Sequence, residues 1–323
     1  MRYRSIPGTS LTPSVICLGT SAFGSGIPEG DAFRLMDLFY ELGGTFIDTA
    51  KVYADWLPGQ RSVSEKTIGR WLKSRGLHNQ VIVETKGGHP ELNTMHIPRL
   101  DAQSIAMDVE ASLNNLQLEC IDLYYLHRDD PSRPVAELVE VMEEQVKLGN
   151  IRYYACSNWM PERIEEANQY ARRLGSTGFV ANQPKWSLAV SLPAADPARD
   201  TMDNSGIELH EQLGLAAVPY SSQAKGFFSG TYTPEALRSL SPHTVKVKAY
   251  CTEANITKLE RVIEVSERLQ VSGSQVALAS LIAHSFPVFP IIGSKSAEQL
   301  TDSCAAAEVQ MDLQTAAYIW DKQ

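Results

Sequence analysis

Cysteine is sparse in this chain: Cys17, Cys120, Cys156, Cys251 and Cys304 are widely scattered, and no CxxC pair occurs. Such spacing offers no metal site and reads as reduced, mostly buried thiols of a cytoplasmic protein. Histidine motifs for metal are missing too. There is no HExxH and no HxH, and LHEQLG at 209–214 carries one histidine, so a metal hydrolase has no ligand set to work with. No apolar run approaches the ~18 residues of a membrane span, and MRYRSIPGTS at the start lacks the apolar core of a signal peptide. Basic charge is in deficit, with 29 Lys and Arg against 38 Asp and Glu and a net charge of -9. Without a basic run either, the chain has no footprint for nucleic acid. Linkers, low-complexity tracts and charge blocks are absent as well. One domain over residues 1–323 is therefore expected, and a 43% hydrophobic content is ample for its core.

What the sequence does contain is a series of short apolar, β-branched runs. They are SVICLG (14–19), GTFIDT (44–49), VIVET (81–85), IDLYYLH (121–127), IRYYACS (151–157), FVANQ (179–183), LAAVPYS (215–221) and VFPIIGS (288–294). Runs apolar on both faces suit strands of a buried parallel sheet. Helical patterns lie between them. In DAFRLMDLFYELGG, Asp31 is placed to cap a helix whose apolar face is Ala32, Leu35, Met36, Phe39 and Leu42, with Gly43 and Gly44 as the stop. Ile105, Val109, Ser112, Leu113 and Leu116 keep the same period, and Pro161 opens a helix that ends at Gly175. ITKLERVIEVSERL and SQVALASLIAHSF complete the set.

Eight strands alternating with helices give the cadence of an α/β (β/α)8 TIM barrel. The doubly wound alternative lacks a GxGxxG at its first βα turn. The interval between strands seven and eight is the longest. It contains Gly226, Gly230 and Pro234, so a long loop should cover the face where strand seven ends.

Chemistry in such a barrel sits at the C-terminal ends of the strands. Strand two, in TFIDTAKVYADW, runs into Asp48 and then Tyr53; strand three ends in Lys86 and strand four in His127. Singly, each has an ordinary explanation as a solvated rim residue, a structural histidine or a loop aromatic, and the neighbours Lys51 and Asp55 read as solvent-facing loop residues. Convergence from three consecutive strands argues for a site. Tyrosine with a pKa near ~10 is a weak acid at neutral pH, a nearby ammonium lowers that value, and an aspartate holds the ammonium in place. A histidine can position the substrate oxygen or relay the proton. The set suits proton donation to a carbonyl.

At this point the chain resembles an aldo-keto reductase over nearly its whole length, including RYRSIPGTSLTPSVICLGTSAFG, which is similar to that family's N-terminal hairpin and first strand. FIDTAKVY, TKGG and DLYYLH match the family's motifs in order. The resemblance implies an oxidoreductase in which Tyr53 is the general acid/base, Asp48, Lys86 and His127 complete the catalytic tetrad, and a nicotinamide cofactor delivers hydride to a carbonyl carbon. It implies cofactor contacts from Gly19, Thr20 and Asp48, and from Ser157, Asn158 and Gln183 to the nicotinamide carboxamide. Tyr220 would stack on the ring, while Ser221, Ser222, Gln223 and Gly226 lie along the pyrophosphate. In IIGSKSAEQLTDS, the positions Gly293, Ser294, Lys295, Gln299 and Ser303 correspond to the adenosine 2'-phosphate site. A helix opened by Ser296 beside Lys295 favours a phosphate, so NADPH/NADP+ is the expected cofactor. Lys295 stands where the family often has arginine and Ser303 where it often has asparagine. A lysine lacks the bidentate fork of arginine, which leaves room for NADH.

The expected pocket rim is Phe23, Trp56, His127, Arg128, Trp159 and Trp186, with Asp129 and Asp130 close behind. Aromatic faces beside charged groups suit a sugar-like or hydroxylated carbonyl, or the corresponding alcohol. A different class of function also fits the resemblance: a nucleotide-sensing subunit with little turnover, as in family members similar to channel β subunits. Oligomeric state is not legible in the sequence.

Overall fold

The computed structural model describes residues 1–193, 199, 201–239 and 247–320. Eight strands form one parallel sheet: β1 (Cys17–Gly19), β2 (Phe46–Asp48), β3 (Ile82–Gly87), β4 (Ile121–Leu126), β5 (Ile151–Ser157), β6 (Phe179–Gln183), β7 (Ala216–Ala217) and β8 (Ile291–Ile292). Their order is β7-β6-β5-β4-β3-β2-β1-β8. An isolated parallel bridge between Ala217 and Val288 curls the two ends together. There Phe289 N donates to Ala217 O at 2.8 Å, and Ile291 N donates to Pro219 O at 3.0 Å. This is the TIM-barrel architecture that the sequence predicts.

Strands β5 and β6 run as expected, whereas β7 and β8 are shorter than their apolar runs. Proline is the reason. Pro219 and Pro290 interrupt the two runs and Pro287 immediately precedes the second; none has an N–H to give a ladder, so they take part through their carbonyls. Pro287 O accepts from Ala217 N at 2.8 Å, and Pro290 O accepts from Cys17 N at 3.1 Å.

Helices pack outside the sheet. The first five are α1 (Glu29–Glu41), α2 (Val63–Arg75), α3 (Ala102–Leu116), α4 (Val135–Lys147) and α5 (Pro161–Arg173). They are followed by α6 (Asn204–Leu213), α7 (Pro234–Ser239), α8 (Glu253–Leu269), α9 (Gly273–Ile282), α10 (Ala297–Ala305) and α11 (Leu313–Trp320). The predicted apolar stripe of α1 is buried at Ala32, Leu35, Met36 and Phe39. Asp31 is not its cap, however. Pro28 stands there with φ -55°, and its carbonyl accepts from Asp31 N and Ala32 N, because proline is preset for a helix entrance. Pro161 does occupy the first turn of α5. No helix among the described residues is long and apolar enough to cross a membrane.

Side-chain alternation organises the barrel interior. Cys17, Phe46, Leu123, Tyr125, Ala155, Ala181, Ala216 and Phe289 fill it, with Phe46 and Phe289 edge to face at 5.7 Å between ring centres. An N-terminal hairpin, in which Ile6 N donates to Leu11 O at 3.0 Å, inserts Ile6 and Leu11 into the same cluster. The hairpin thus plugs one end, and polar side chains are left for the other.

His210 on α6 is fully buried, with Nδ1 bonded to Leu215 O at 2.9 Å and Nε2 to the Asn182 amide at 3.2 Å. Burial pulls its pKa from 6.5 to about 4. The unfolded chain therefore binds a proton between those values that the folded chain does not. Stability should fall as pH drops through that window, by up to about 3 kcal/mol. Urea unfolding at pH 7 and pH 4.5 checks this, with His210→Gln expected to flatten the histidine share of the slope.

Candidate active site

Period-two alternation lifts the inward positions of β2, β3 and β4 from apolar residues at the plugged end to ionisable ones at the open end. Register aligns them: Gly19 pairs with Asp48, Asp48 with Glu84, and Lys86 with Tyr125. Lys86, fully buried, donates to Asp48 Oδ1 at 2.6 Å, to Thr49 O at 2.6 Å and to the Tyr53 hydroxyl at 3.2 Å. The ammonium lies 4.8 Å from the Tyr53 ring centre, and the His127 ring meets that of Tyr53 edge on at 6.2 Å. The four predicted residues are in one place.

Electrostatics refine the expectation for Tyr53. Burial dominates and pushes its pKa up to about 12, while Lys86 opposes the rise and Asp48 adds to it. The lysine does act downward as expected, but in a dry site desolvation is larger. Tyr53 is therefore firmly protonated at neutral pH. Burial pulls Lys86 down, but Asp48, acting both through its charge and as hydrogen-bond acceptor, is the largest opposing influence, and the ammonium is held above its ordinary value. Burial, with Lys86, His89, Arg128 and Arg199 adding to it, drives His127 well below 6.5, so its ring is neutral.

The loop after β2 is tied down. Lys51 and Asp55 are not free solvent-facing residues: Lys51 pairs with the buried Asp108 at 3.1 Å, and Asp55 accepts from Ser62 N at 2.7 Å and pairs with Arg61 at 3.1 Å. These contacts pin the segment that carries Tyr53. Just past β5, Asn158 adopts a left-handed backbone at φ 59°. Its amide donates to His127 O at 3.0 Å and Ser157 Oγ at 3.1 Å, and it accepts from the Tyr220 hydroxyl at 2.8 Å. A strained conformation held by three partners beside a cavity is a preorganised feature.

A groove of about 1660 Å³ runs across this face, larger than the usual ~300–1,000 Å³ of a small-ligand pocket. At one end lie Asp48, Tyr53, Trp56, His127 and Arg128; Ser157, Asn158, Gln183 and Tyr220 follow. Gly19, Ser221, Ser222, Gln223 and Gly226 line the middle, and Gly293, Ser294, Lys295, Gln299 and Ser303 the far end. The long loop after β7 thus covers this face as expected. Gln223 spans from that loop to α10, donating to Ser303 Oγ at 2.9 Å and accepting from Gly293 N at 3.3 Å. Ser296 caps α10, accepting from Gln299 N at 3.3 Å. Two groove residues have buried polar atoms with no partner among the described residues: His127 Nδ1 at one end and Ser294 Oγ at the other. A groove of this volume, with donors and acceptors along its lining, has room for a dinucleotide.

Several expected contacts lie elsewhere. Thr20 is buried away from the groove, bonded to Asp48 O and Ser64 at 2.8 Å. Phe23 belongs to the core between sheet and helices. Trp159 packs edge on against Phe179 at 5.0 Å, beneath the Arg163 guanidinium. Trp186 stacks on Phe286 at 6.1 Å in a separate buried cluster. Groove-lining Ser21, Asn158 and Gln183 lie within three residues of them, but these aromatic side chains turn into apolar packing instead. Of the charges after His127, only Arg128 lines the groove; Asp129 is bound by Arg163 at 2.8 Å. Residues the sequence did not single out also line the groove: Val52, His89, Leu92 and Arg199, and Lys225, Glu298 and Asp302. His89 sits just past TKGG, its ring 4.8 Å from that of His127, so proximity to that motif was its available signal.

Comparison with known proteins places the chain in a family. The model of the Aldo/keto reductase family matches residues 15–322, and the chain belongs to that family. It is 31% identical over 97% of its length to an uncharacterized oxidoreductase, YrpG, of Bacillus subtilis, covering 93% of that protein. It is 29% identical to norsolorinic acid reductase stcV of Emericella nidulans and 26% identical to aryl-alcohol dehydrogenase GME11368 of Pestalotiopsis microspora, each over 94% of this chain and 77% of the relative.

The Asp48–Lys86 pair makes a stability prediction independent of turnover. Lys86→Met leaves Asp48 buried without its cation and should cost about 3–5 kcal/mol. Adding Asp48→Asn should recover part of that loss in urea unfolding, because the stranded charge is removed.

Proposed function

We propose that this chain reduces a small carbonyl compound to an alcohol, or runs the reverse reaction, with Tyr53 as general acid/base. The observation that carries the reading is the continuous contact from Asp48 through Lys86 to the Tyr53 hydroxyl, at 2.6 and 3.2 Å, at the floor of the groove. Tyr53, protonated at neutral pH, donates to the carbonyl oxygen. Lys86 stabilises the phenolate that results, and Asp48 keeps Lys86 aimed. Neutral His127, with its unpaired ring nitrogen, holds the same oxygen. When bound, a nicotinamide cofactor supplies the hydride; Ser157, Asn158 and Gln183 would hold its carboxamide and Tyr220 its ring. A pure sensing subunit has no use for a tyrosine with an ammonium at its hydroxyl, and turnover separates the two functions. The reduced-thiol reading of the cysteines favours the cytoplasm.

Steady-state NADPH oxidation over a panel of carbonyl compounds is the test. Tyr53→Phe should lower kcat by ~100-fold or more with cofactor affinity retained. In the parent, kcat/KM for reduction should stay flat through neutrality and decline only at alkaline pH, as Tyr53 loses its proton. Cofactor bound tightly without turnover in either direction would favour the sensing function. Arg128, His89 and Arg199 around the carbonyl end support a hydroxylated aldehyde or sugar-like ketone over octanal, and the ranking of specificity constants, with an aryl aldehyde as comparator, decides it.

For the cofactor we favour NADPH, on Lys295 beside the N-terminus of α10. Glu298 also lines that end and tempers the preference. Lys295→Ala should weaken NADPH binding about tenfold and leave NADH unchanged; equal losses for both would count against a phosphate contact.

A further inference from the structure

Below the tetrad, the barrel interior holds another ionisable group for which the proposed chemistry has no role. Glu84 lies on β3 two residues before Lys86, in register with Asp48, and is fully buried. It is approached from every side of the barrel. Cys17 Sγ of β1 lies 3.8 Å from Oε1, the Tyr125 hydroxyl of β4 donates to Oε2 at 2.7 Å, and Gln183 Nε2 of β6 donates to Oε1 at 3.0 Å. The same Gln183 amide donates to Asp48 Oδ1 at 2.8 Å. The Asp48 carboxyl stands across the same register pair as Glu84 and shares the Gln183 amide with it.

Of Cys17, Asp48, Tyr53, Glu84, Lys86, Tyr125 and Gln183, only Lys86 is cationic. Its ammonium is bonded to Asp48 at 2.6 Å and to the Tyr53 hydroxyl, and no bond from it reaches Glu84. A second carboxylate would be buried beside Asp48 with no cation of its own, an arrangement that dry interiors do not sustain. Two carboxyl groups sharing one site keep one proton between them. The burial of Glu84 and the charge of Asp48 both raise its pKa well above that of an ordinary glutamate.

We infer that Glu84 is a positioning residue: a carboxylic acid that keeps its proton at neutral pH and braces Asp48 and Gln183 beneath the Lys86–Tyr53 contact. Gln183 has two amide hydrogens, and two carboxyl groups occupy them. Its Oε1 is therefore the atom left to face a ligand, as an acceptor. Glu84 fixes which way that amide points, and it adds no second negative charge that would hold Tyr53 still more firmly protonated. The inference rests on reading the tetrad as the proton-delivery site.

Infrared spectroscopy of the whole chain, without substrate, tests the protonation directly. The C=O stretch of a protonated carboxyl lies above the amide band and shifts in D2O. The parent minus Glu84→Gln difference spectrum at pH 7 should contain it; a difference spectrum without that band would overturn the inference. Kinetics and cofactor binding test the positioning. Glu84→Gln, which keeps a neutral hydrogen-bonding group, should retain kcat and the NADP+ dissociation constant within about threefold, with the alkaline limb of kcat/KM unmoved. Glu84→Ala should weaken NADP+ binding and lower kcat by about tenfold or more, because Asp48 and the Gln183 amide lose a partner. A shift of that limb by about one pH unit in Glu84→Gln would mean that an anion had been removed, and would refute the assignment. A folded Glu84→Ala with parental binding and kcat would refute it as well. Should Glu84→Ala fail to fold, the infrared band and Glu84→Gln still decide. A parent without turnover would undo the proposed reaction alone, since the band and the NADP+ affinity are read without it.

Discussion

One ammonium group, that of Lys86, sits in the dry centre of the barrel, bonded to Asp48, to the Thr49 carbonyl and to the Tyr53 hydroxyl. A buried lysine is stable only with a partner in good geometry, and the surrounding architecture provides that geometry. Strands β2 and β3 bring the two charges together by register. The loop after β2, anchored through Lys51 to Asp108 and through Asp55 to Ser62, returns Tyr53 over the ammonium. Beneath them, the Gln183 amide donates to Asp48 and to Glu84. Removing the lysine would strand several groups at once.

The division of the barrel into a plugged end and a reactive end follows from simple alternation. Ile6 and Leu11 of the hairpin seal the apolar layers, so water reaches the interior from the groove side. Next to that groove, desolvation is the largest influence on Tyr53 and His127 alike. It keeps the tyrosine protonated and the histidine neutral, and both states suit a donor and a guide for a carbonyl oxygen. Apolar filling at one end and the protonation states of Tyr53 and His127 at the other are thus linked through the dielectric of a shared interior.

Much of this was legible in the chain. Asp48, Lys86 and His127 stand out because each ends an apolar run, and a parallel barrel gathers such ends on one rim. Glu84 gave no such signal. Within VIVETKGG it reads as one more strand residue, and its burial between Asp48 and Tyr125 becomes visible only once the register of three strands is known. Trp159 and Trp186 misled in the opposite sense. Trp159 directly follows Asn158, which faces the groove, and Trp186 lies three residues past Gln183, which does too, yet both large apolar rings settled into packing away from it. Short β7 and β8 reflect prolines whose effect on ladder length depends on which carbonyls find donors across the seam.

That seam has a consequence for how the barrel is assembled and how its assembly can be watched. Where β7 approaches β8, Pro219 and Pro287 contribute acceptors only, as Pro290 does toward β1, and the donors across the seam are a few amides such as Ala217, Phe289 and Ile291. The segments joined there and at β1 are also far apart in sequence, so their loops are among the last to repay closure entropy during folding. Amide exchange is correspondingly blind at this place, with few protons to report whether the ring is open or shut. Closure is better followed by an aromatic reporter, and Phe46 against Phe289 spans from β2 to the closing strand.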